Sequence, residues 1–370
     1  MPSGFKQRLT RLPAVFGVAL GLTVAAAIAQ TVQIRPNGTP AADVPHLGIT
    51  IRDAEWRDAA RDRVIPVRIY LPASIGSVVV VPGAPAPADL TSASAAAGKL
   101  PLVVFSHGLG GSRFGYSHLG QHLAQHGFVA LHLQHAGSDR AVWQGGPLSV
   151  FGNVQSAASE ANAFARAQDV SFALSALLAD PELGARIDGQ AIAVAGHSYG
   201  ANTAMLIAGA SVERDGKPVS FTDTRVKAAI LLSAPPFHGE GDQAAVLRDV
   251  RLPTLHLTGT EDIIRVPGYR SDVTDRIGVF RDTPAVLPAK KYLAVFEGGE
   301  HSVFTDRTRS QRALAIKAAT RDLSLAFLRA TLQNRPQAME AALEAAGPLL
   351  AEPGRVLARQ QEASFTNSSP

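Results

Sequence analysis

The apolar positions change rhythm along the chain. "HLGITIRDAEW" and "RVIPVRIYLP" alternate apolar and polar residues around "RDAARD", which predicts a β-hairpin. Beyond residue 99 the apolar residues gather into short runs. "LPLVVFS", "FVALHLQ", "AIAVAGHS", "VKAAILLSA", "LPTLHLTG" and "KKYLAVFEG" each predict a buried strand. Helices are predicted between them over 114–126, 157–180, 199–210 and 308–333, with Val170, Leu174, Leu177 and Leu178 on one face of the second. Strands alternating with helices predict an α/β fold, a mostly parallel sheet with helices on both faces. Ligands on such sheets bind beyond the carboxyl ends of the strands, so residues just after each strand are where chemistry is expected.

The regions outside this rhythm divide the chain. Lys6, Arg8 and Arg11 precede an apolar, small-residue run that ends at Ala27-Ile28-Ala29, the layout of a secretory signal peptide over residues 1–29. Residues 30–45 then read as a flexible lead-in, 46–345 as one folded domain, and 346–370 as a tail. Within the domain, 83–99 is a low-complexity loop, and 136–156 is long for a connection and suggests a lid or pocket loop. Export to the periplasm or medium is expected. A retained membrane anchor is the competing reading of the near-spanning run, and removal at the small-residue site, leaving no stable span, is preferred.

Composition narrows the partners. A hydrophobic content of 46% with 18% charged residues describes a globular chain with an ample core. The formal charge of +4 drops by three with the signal segment, which carries no acid, and no basic run follows position 12. No nucleic-acid footprint is present. The absence of cysteine excludes disulfides, cysteine-ligated zinc and a thiol nucleophile.

"AVAGHSYGAN" at 193–202 places Ser198 between Gly196 and Gly200, directly after an apolar strand and before a helix. That context predicts a nucleophile elbow, a tight turn in which close backbone approach requires glycine on either side. A serine hydroxyl needs a histidine to take its proton, and the histidine needs a carboxylate to fix its tautomer. "TGTEDIIR" supplies Asp262 and "FEGGEHSVF" supplies His301, each just after a strand. "FSHGLGGSRFG" supplies a Gly-rich turn for an oxyanion. Glu261 and Asp242 compete for the acid, and Asp262 is preferred on the Gly-Thr-Glu-Asp spacing; His238 competes for the base but follows an earlier strand.

With these residues in hand, the chain resembles the α/β-hydrolases. "LVVFSHGLGGSRFGYSHLGQHLAQHGFVA" with "GHSYGA" is similar to the branch of platelet-activating-factor acetylhydrolases, chlorophyllases and dienelactone-hydrolase-like esterases. The resemblance implies an eight-stranded, mostly parallel sheet, Ser198 as nucleophile, Asp262 as acid and His301 as base. It further implies the backbone N–H groups of Leu109 and Tyr199 as the oxyanion hole. Ala201 and Asn202 depart from the further small residues of many relatives, and the cysteine nucleophile of true dienelactone hydrolases is lacking.

The expected activity is hydrolysis of small-molecule or lipid-like carboxylic esters through an acyl-enzyme. The alternatives are acyl transfer by the same triad, or a binding protein on a hydrolase scaffold. Trp143, Leu148 and Phe151 are expected to line the substrate pocket, and Arg265, Tyr269 and Arg270 lie close behind Asp262. No cofactor or metal is expected. His118, His122 and His126 recur every four residues on one predicted helix but lack the glutamate of the zinc-helix motif.

Overall fold

Strand β1 (Ile49–Asp58) pairs antiparallel with β2 (Arg63–Pro72), and Asp62 in their turn takes a left-handed backbone that aspartate tolerates. Three buried strands follow, β3 (Leu100–Ser106), β4 (Val129–Leu133) and β5 (Ile187–His197). A small hairpin, β6 (Ser211–Arg214) and β7 (Lys217–Ser220), precedes β8 (Val226–Leu232) and β9 (Thr254–Glu261). A second one, β10 (Ile264–Val266) and β11 (Tyr269–Ser271), precedes β12 (Lys291–Glu300) and the two-residue β13 (Leu350–Ala351). This computed structural model describes residues 48–72, 98–266, 269–285 and 290–352. The expected signal segment, the lead-in, most of the 83–99 stretch and the tail beyond 352 lie outside the described residues.

The main sheet runs β1-β2-β4-β3-β5-β8-β9-β12-β13, and its six members from β4 to β12 are mutually parallel. It is the sheet of an α/β-hydrolase. Among the described residues it has nine strands rather than the expected eight. The ninth arises because β13 turns back to pair with Val295 and Phe296, covering the open edge of β12. That pairing also carries the folded domain past its expected limit at residue 345.

Strand residues alternate between two core layers. Leu102 and Val104 of β3 face one side with α3 (Glu160–Leu178) and α4 (Tyr199–Ala208). Val103 and Phe105 face the other with α1 (Ser117–Gln125) and α7 (Gln311–Leu332). Both faces are covered, so β3 reads as a continuous apolar run. Each fully buried Val, Leu or Phe there contributes about 1.5–3 kcal/mol.

Three helical boundaries differ from expectation. Helix α1 starts at Ser117 because Tyr116 before it is left-handed, with φ of 58°. The second half of the expected 136–156 loop is α2 (Pro147–Ala157), begun by a proline in its first turn, where a missing N–H costs nothing. The single helix expected over 157–180 begins instead at α3, where the Ser159 hydroxyl accepts from Asn162 N–H. The shorter α5 (Gln243–Leu247), α6 (Val273–Asp282) and α8 (Gln337–Ala346) complete the set among the described residues. No helix among these residues is long and apolar enough to cross a membrane.

Candidate active site

The site begins at the end of β5. Ser198 stands between the strand and α4 with φ of 54° and ψ of −123°, a conformation that L-residues rarely adopt. A Cβ at Gly196 would lie 2.0 Å from the Gly200 carbonyl oxygen, and one at Gly200 would lie 2.0 Å from the Ser106 carbonyl oxygen. The flanking glycines are therefore demanded by backbone approach on both sides of the serine.

His301, in the turn after β12, reaches this serine. Its Nε2 lies 3.0 Å from Ser198 Oγ, and its Nδ1 lies 2.7 Å from Asp262 Oδ1. With Nδ1–H donating to the carboxylate, Nε2 is left free to accept the serine proton. Asp262 is fully buried just past β9, while Glu261 beside it is exposed. Asp262 also accepts from Thr258 Oγ1 at 2.7 Å and from Ser233 Oγ, and Arg276 Nη2 stands 3.5 Å away. Burial opposes the charge on Asp262, but the bonds from His301 and Ser233 and the Arg276 cation outweigh it and hold the carboxyl well below the usual range. Asp242 instead caps α5 by accepting from Ala244 N–H.

Ser233, just past β8, is a member that the sequence reasoning missed. Its Oγ lies 2.8 Å from His301 Nδ1 as well as bonding Asp262. Among the described residues six non-glycine positions have positive φ. Asp62, Asp215 and Asn334 are of the residue types that tolerate it, whereas Tyr116, Ser198 and Ser233 are not, and all three belong to this site. Tyr116 accepts from Gly108 N–H at 3.4 Å and donates to His197 Nδ1 at 2.8 Å. His197 Nε2–H then donates to the His301 carbonyl at 2.9 Å. Burial, and then the neighbouring His301, push His197 down to about 3, so this relay carries a neutral imidazole.

The Gly-rich turn after β3 faces the elbow. Leu109 and Tyr199 both border the cavity beside Ser198. Neither backbone N–H donates to a protein acceptor among the hydrogen bonds of the described residues. Beneath them lies the fully buried Arg166 of α3. It donates to Thr203 Oγ1 at 3.0 Å, Ser138 Oγ at 2.8 Å, Ser106 Oγ at 3.0 Å and the His107 carbonyl, and its guanidinium covers the Tyr199 ring at 4.5 Å. Burial lowers Arg166 to about 10, which leaves it a cation at neutral pH. One turn along α3, Asp169 is taken up by Arg61, Arg63 and His135. His107 is a member of this buried frame, accepting from His135 N–H at 3.1 Å.

Comparisons with known proteins find relatives of part of this chain. The family model described as platelet-activating factor acetylhydrolase, isoform II, matches residues 74–144, which include β3, the Gly-rich turn, α1 and β4. A platelet-activating factor acetylhydrolase of Cavia porcellus is 30% identical over 134 residues, covering 28% of this chain. These matches support the acetylhydrolase branch of the α/β-hydrolases. The match spans 31% of that curated relative's length.

The cavity beside Ser198 has a volume of ≈ 340 Å³, at the small end for ligand sites. Its apolar lining includes Val154, Phe164, Leu206 and Phe237, and its charged lining is Arg214, Glu160 and Glu240, the arginine paired with both glutamates. The three residues expected there, Trp143, Leu148 and Phe151, are not among its lining. Trp143 donates its indole N–H to Gly110 O at 2.9 Å and braces the Gly-rich turn. Helix formation over 147–157 directs Val154 to the cavity and leaves Leu148 89% and Phe151 44% exposed. His238 and Tyr269 do line the cavity, their rings 5.2 Å apart. On α1, His118 Nε2 donates to Phe304 O and His126 Nδ1 to His122 O. Among the described residues no cluster of His, Asp or Glu has the form of a metal site.

Proposed function

We propose that the protein is an exported serine hydrolase that cleaves carboxylic esters through an acyl-enzyme. The observation that carries this reading is the hydrogen-bonded line Ser198–His301–Asp262 at a strained elbow beside a small apolar cavity. His301 Nε2 takes the serine proton as Ser198 Oγ attacks the ester carbonyl carbon. The carbonyl oxygen becomes an oxyanion that accepts from the Leu109 and Tyr199 N–H groups. Collapse of the tetrahedral intermediate expels the alcohol, which receives the proton from His301. A water then repeats the sequence on the acyl-enzyme, releasing the acid and restoring Ser198. Asp262 keeps His301 in the required tautomer and stabilises the imidazolium that forms.

The apolar cavity favours an uncharged acyl group of short to medium length. The test is labelling with a fluorophosphonate and peptide mapping of the adduct, together with turnover of an aryl ester by Ser198→Ala. The adduct is expected on Ser198, with activity lowered on the order of 10⁴-fold or more. Near-normal turnover by Ser198→Ala overturns the assignment. Acid as the sole product when an alcohol or amine is added distinguishes hydrolysis from acyl transfer. Export predicts a mature chain beginning near Gln30, which N-terminal sequencing checks, and activity is expected to survive chelation.

A further inference from the structure

We propose that Arg166 positions the oxyanion hole, tying the turn that carries Leu109 to the start of the helix that carries Tyr199. This rests on the reading of Ser198, Leu109 and Tyr199 given above. The two N–H groups sit on separate elements, one on the turn after β3 and one at the first residue of α4. Arg166 comes from a third element, α3, and its contacts divide between the other two. On the turn side, Nη2 donates to Ser106 Oγ and to the carbonyl of His107, two residues before Leu109. On the helix side, Nε donates to Thr203 Oγ1 and the guanidinium stacks on the Tyr199 ring. The remaining donor, Nη1, holds Ser138, whose own carbonyl accepts from Gly110 N–H at 2.8 Å.

The chemistry explains why the residue is arginine. A planar fork of five donors with an exposed π-stacking face satisfies several acceptors in fixed directions at once, which a lysine ammonium does not. Burying a cation is costly, and a buried ionic group is poor evidence of added stability. Among the hydrogen bonds of the described residues, every acceptor of this guanidinium is neutral, while Asp169 nearby is engaged by the cations of Arg61 and Arg63. What the arrangement fixes is the separation of the two oxyanion donors. Those donors act most strongly as charge develops on oxygen, so loosening them raises the barrier and leaves ground-state binding intact.

The experiment compares Arg166→Lys, Arg166→Met and Thr203→Val with the parent enzyme, each titrated with a fluorophosphonate so that rates refer to competent sites. Aryl-ester kcat and KM are measured beside the affinity of a trifluoromethyl ketone, which forms a tetrahedral adduct. Both arginine variants are expected to lose about tenfold or more in kcat with KM within about threefold, and the ketone affinity should fall in step. Thr203→Val removes one helix-side acceptor, and a kcat loss of several-fold in the same pattern is expected. It keeps the proposal testable should the arginine variants fail to fold. Parent kcat in Arg166→Lys or Thr203→Val, or a loss confined to KM, overturns it. Full activity in Arg166→Lys beside loss in Arg166→Met also overturns it, since charge and not geometry would then be at work. An active Ser198→Ala defeats the reading of the site itself. An inactive Ser198→Ala with parent kcat in these variants defeats this inference alone.

Discussion

Adding one methyl group at Gly200 tests the elbow and the proposed oxyanion hole together. A Cβ there would lie 2.0 Å from Ser106 O, 2.7 Å from Ser106 C and 2.8 Å from His107 O. All three are backbone atoms at the end of β3, so no side chain can swing aside. Reaching even the 3.0 Å floor of real Cβ contacts requires α4 and the Gly-rich turn to part by about 1 Å. Leu109 and Tyr199 lie on opposite sides of that contact, so their N–H groups part with it. A misplacement of about 1 Å costs on the order of 10²-fold in rate, and losing one oxyanion donor costs a similar factor. Gly200→Ala is therefore expected to lower kcat roughly 100-fold, with an overpacking cost of about 1–3 kcal/mol in stability. The assay is aryl-ester turnover per titrated site, with urea unfolding alongside. Gly189→Ala is the control, since nothing lies within 4 Å of a Cβ there, and its kcat should be that of the parent. A Gly200→Ala enzyme with parent kcat would refute the argument from backbone approach.

Asp262→Asn is expected to keep the fold and lose activity on the order of 10⁴-fold, while Glu261→Gln, exposed one residue earlier, stays near the parent. Reversed severities in the same ester assay would move the acid to Glu261. Tyr116→Phe leaves His197 Nδ1 buried without its donor, and should cost about 1–3 kcal/mol in urea unfolding; an unchanged free energy counts against the relay. His132 and His135 are pushed down to about 4, and His197 to about 3, by burial above all, from an unfolded value of about 6.5. Between about pH 6.5 and 4 the unfolded chain binds protons that the folded chain does not. The stability these residues hold above pH 6.5 should therefore drain away on acidification, by about 1.4 kcal/mol per pH unit for each histidine. Equal unfolding free energies at pH 7.5 and pH 5 would contradict that.

The parts of this fold that are legible in the sequence share a physical cause. Strand β3, and β5 from Ala191 onward, are buried on both faces and appear as apolar runs. Ser198, Asp262 and His301 follow strand ends, where the architecture gathers them, so position and chemistry point to the same residues. Ser233 follows a strand in the same way, but serine before Ala-Pro-Pro reads as an ordinary turn. Arg166 gives no signal at all, because one arginine in a helix of mixed composition reads as solvated. The β6–β7 hairpin did have a marker in Asp215-Gly216, both at positive φ in the structure, which the strand–helix rhythm drew attention away from. Pro147 after two glycines reads as loop, although proline also opens helices, and that ambiguity misplaced Trp143, Leu148 and Phe151.

From β3 outward the sheet adds its strands in chain order, β5, β8, β9 and then β12. Ser198, Ser233, Asp262 and His301 follow those four strands in turn, and His301 comes 103 residues after Ser198. A refolding chain can thus complete its elbow, and the strained serine in it, while the proposed base is still unattached. Helical signal and core burial can approach their final values before any turnover returns. Turnover by the proposed triad is then a clock for the last parallel strand to dock, and its recovery should trail the recovery of secondary structure.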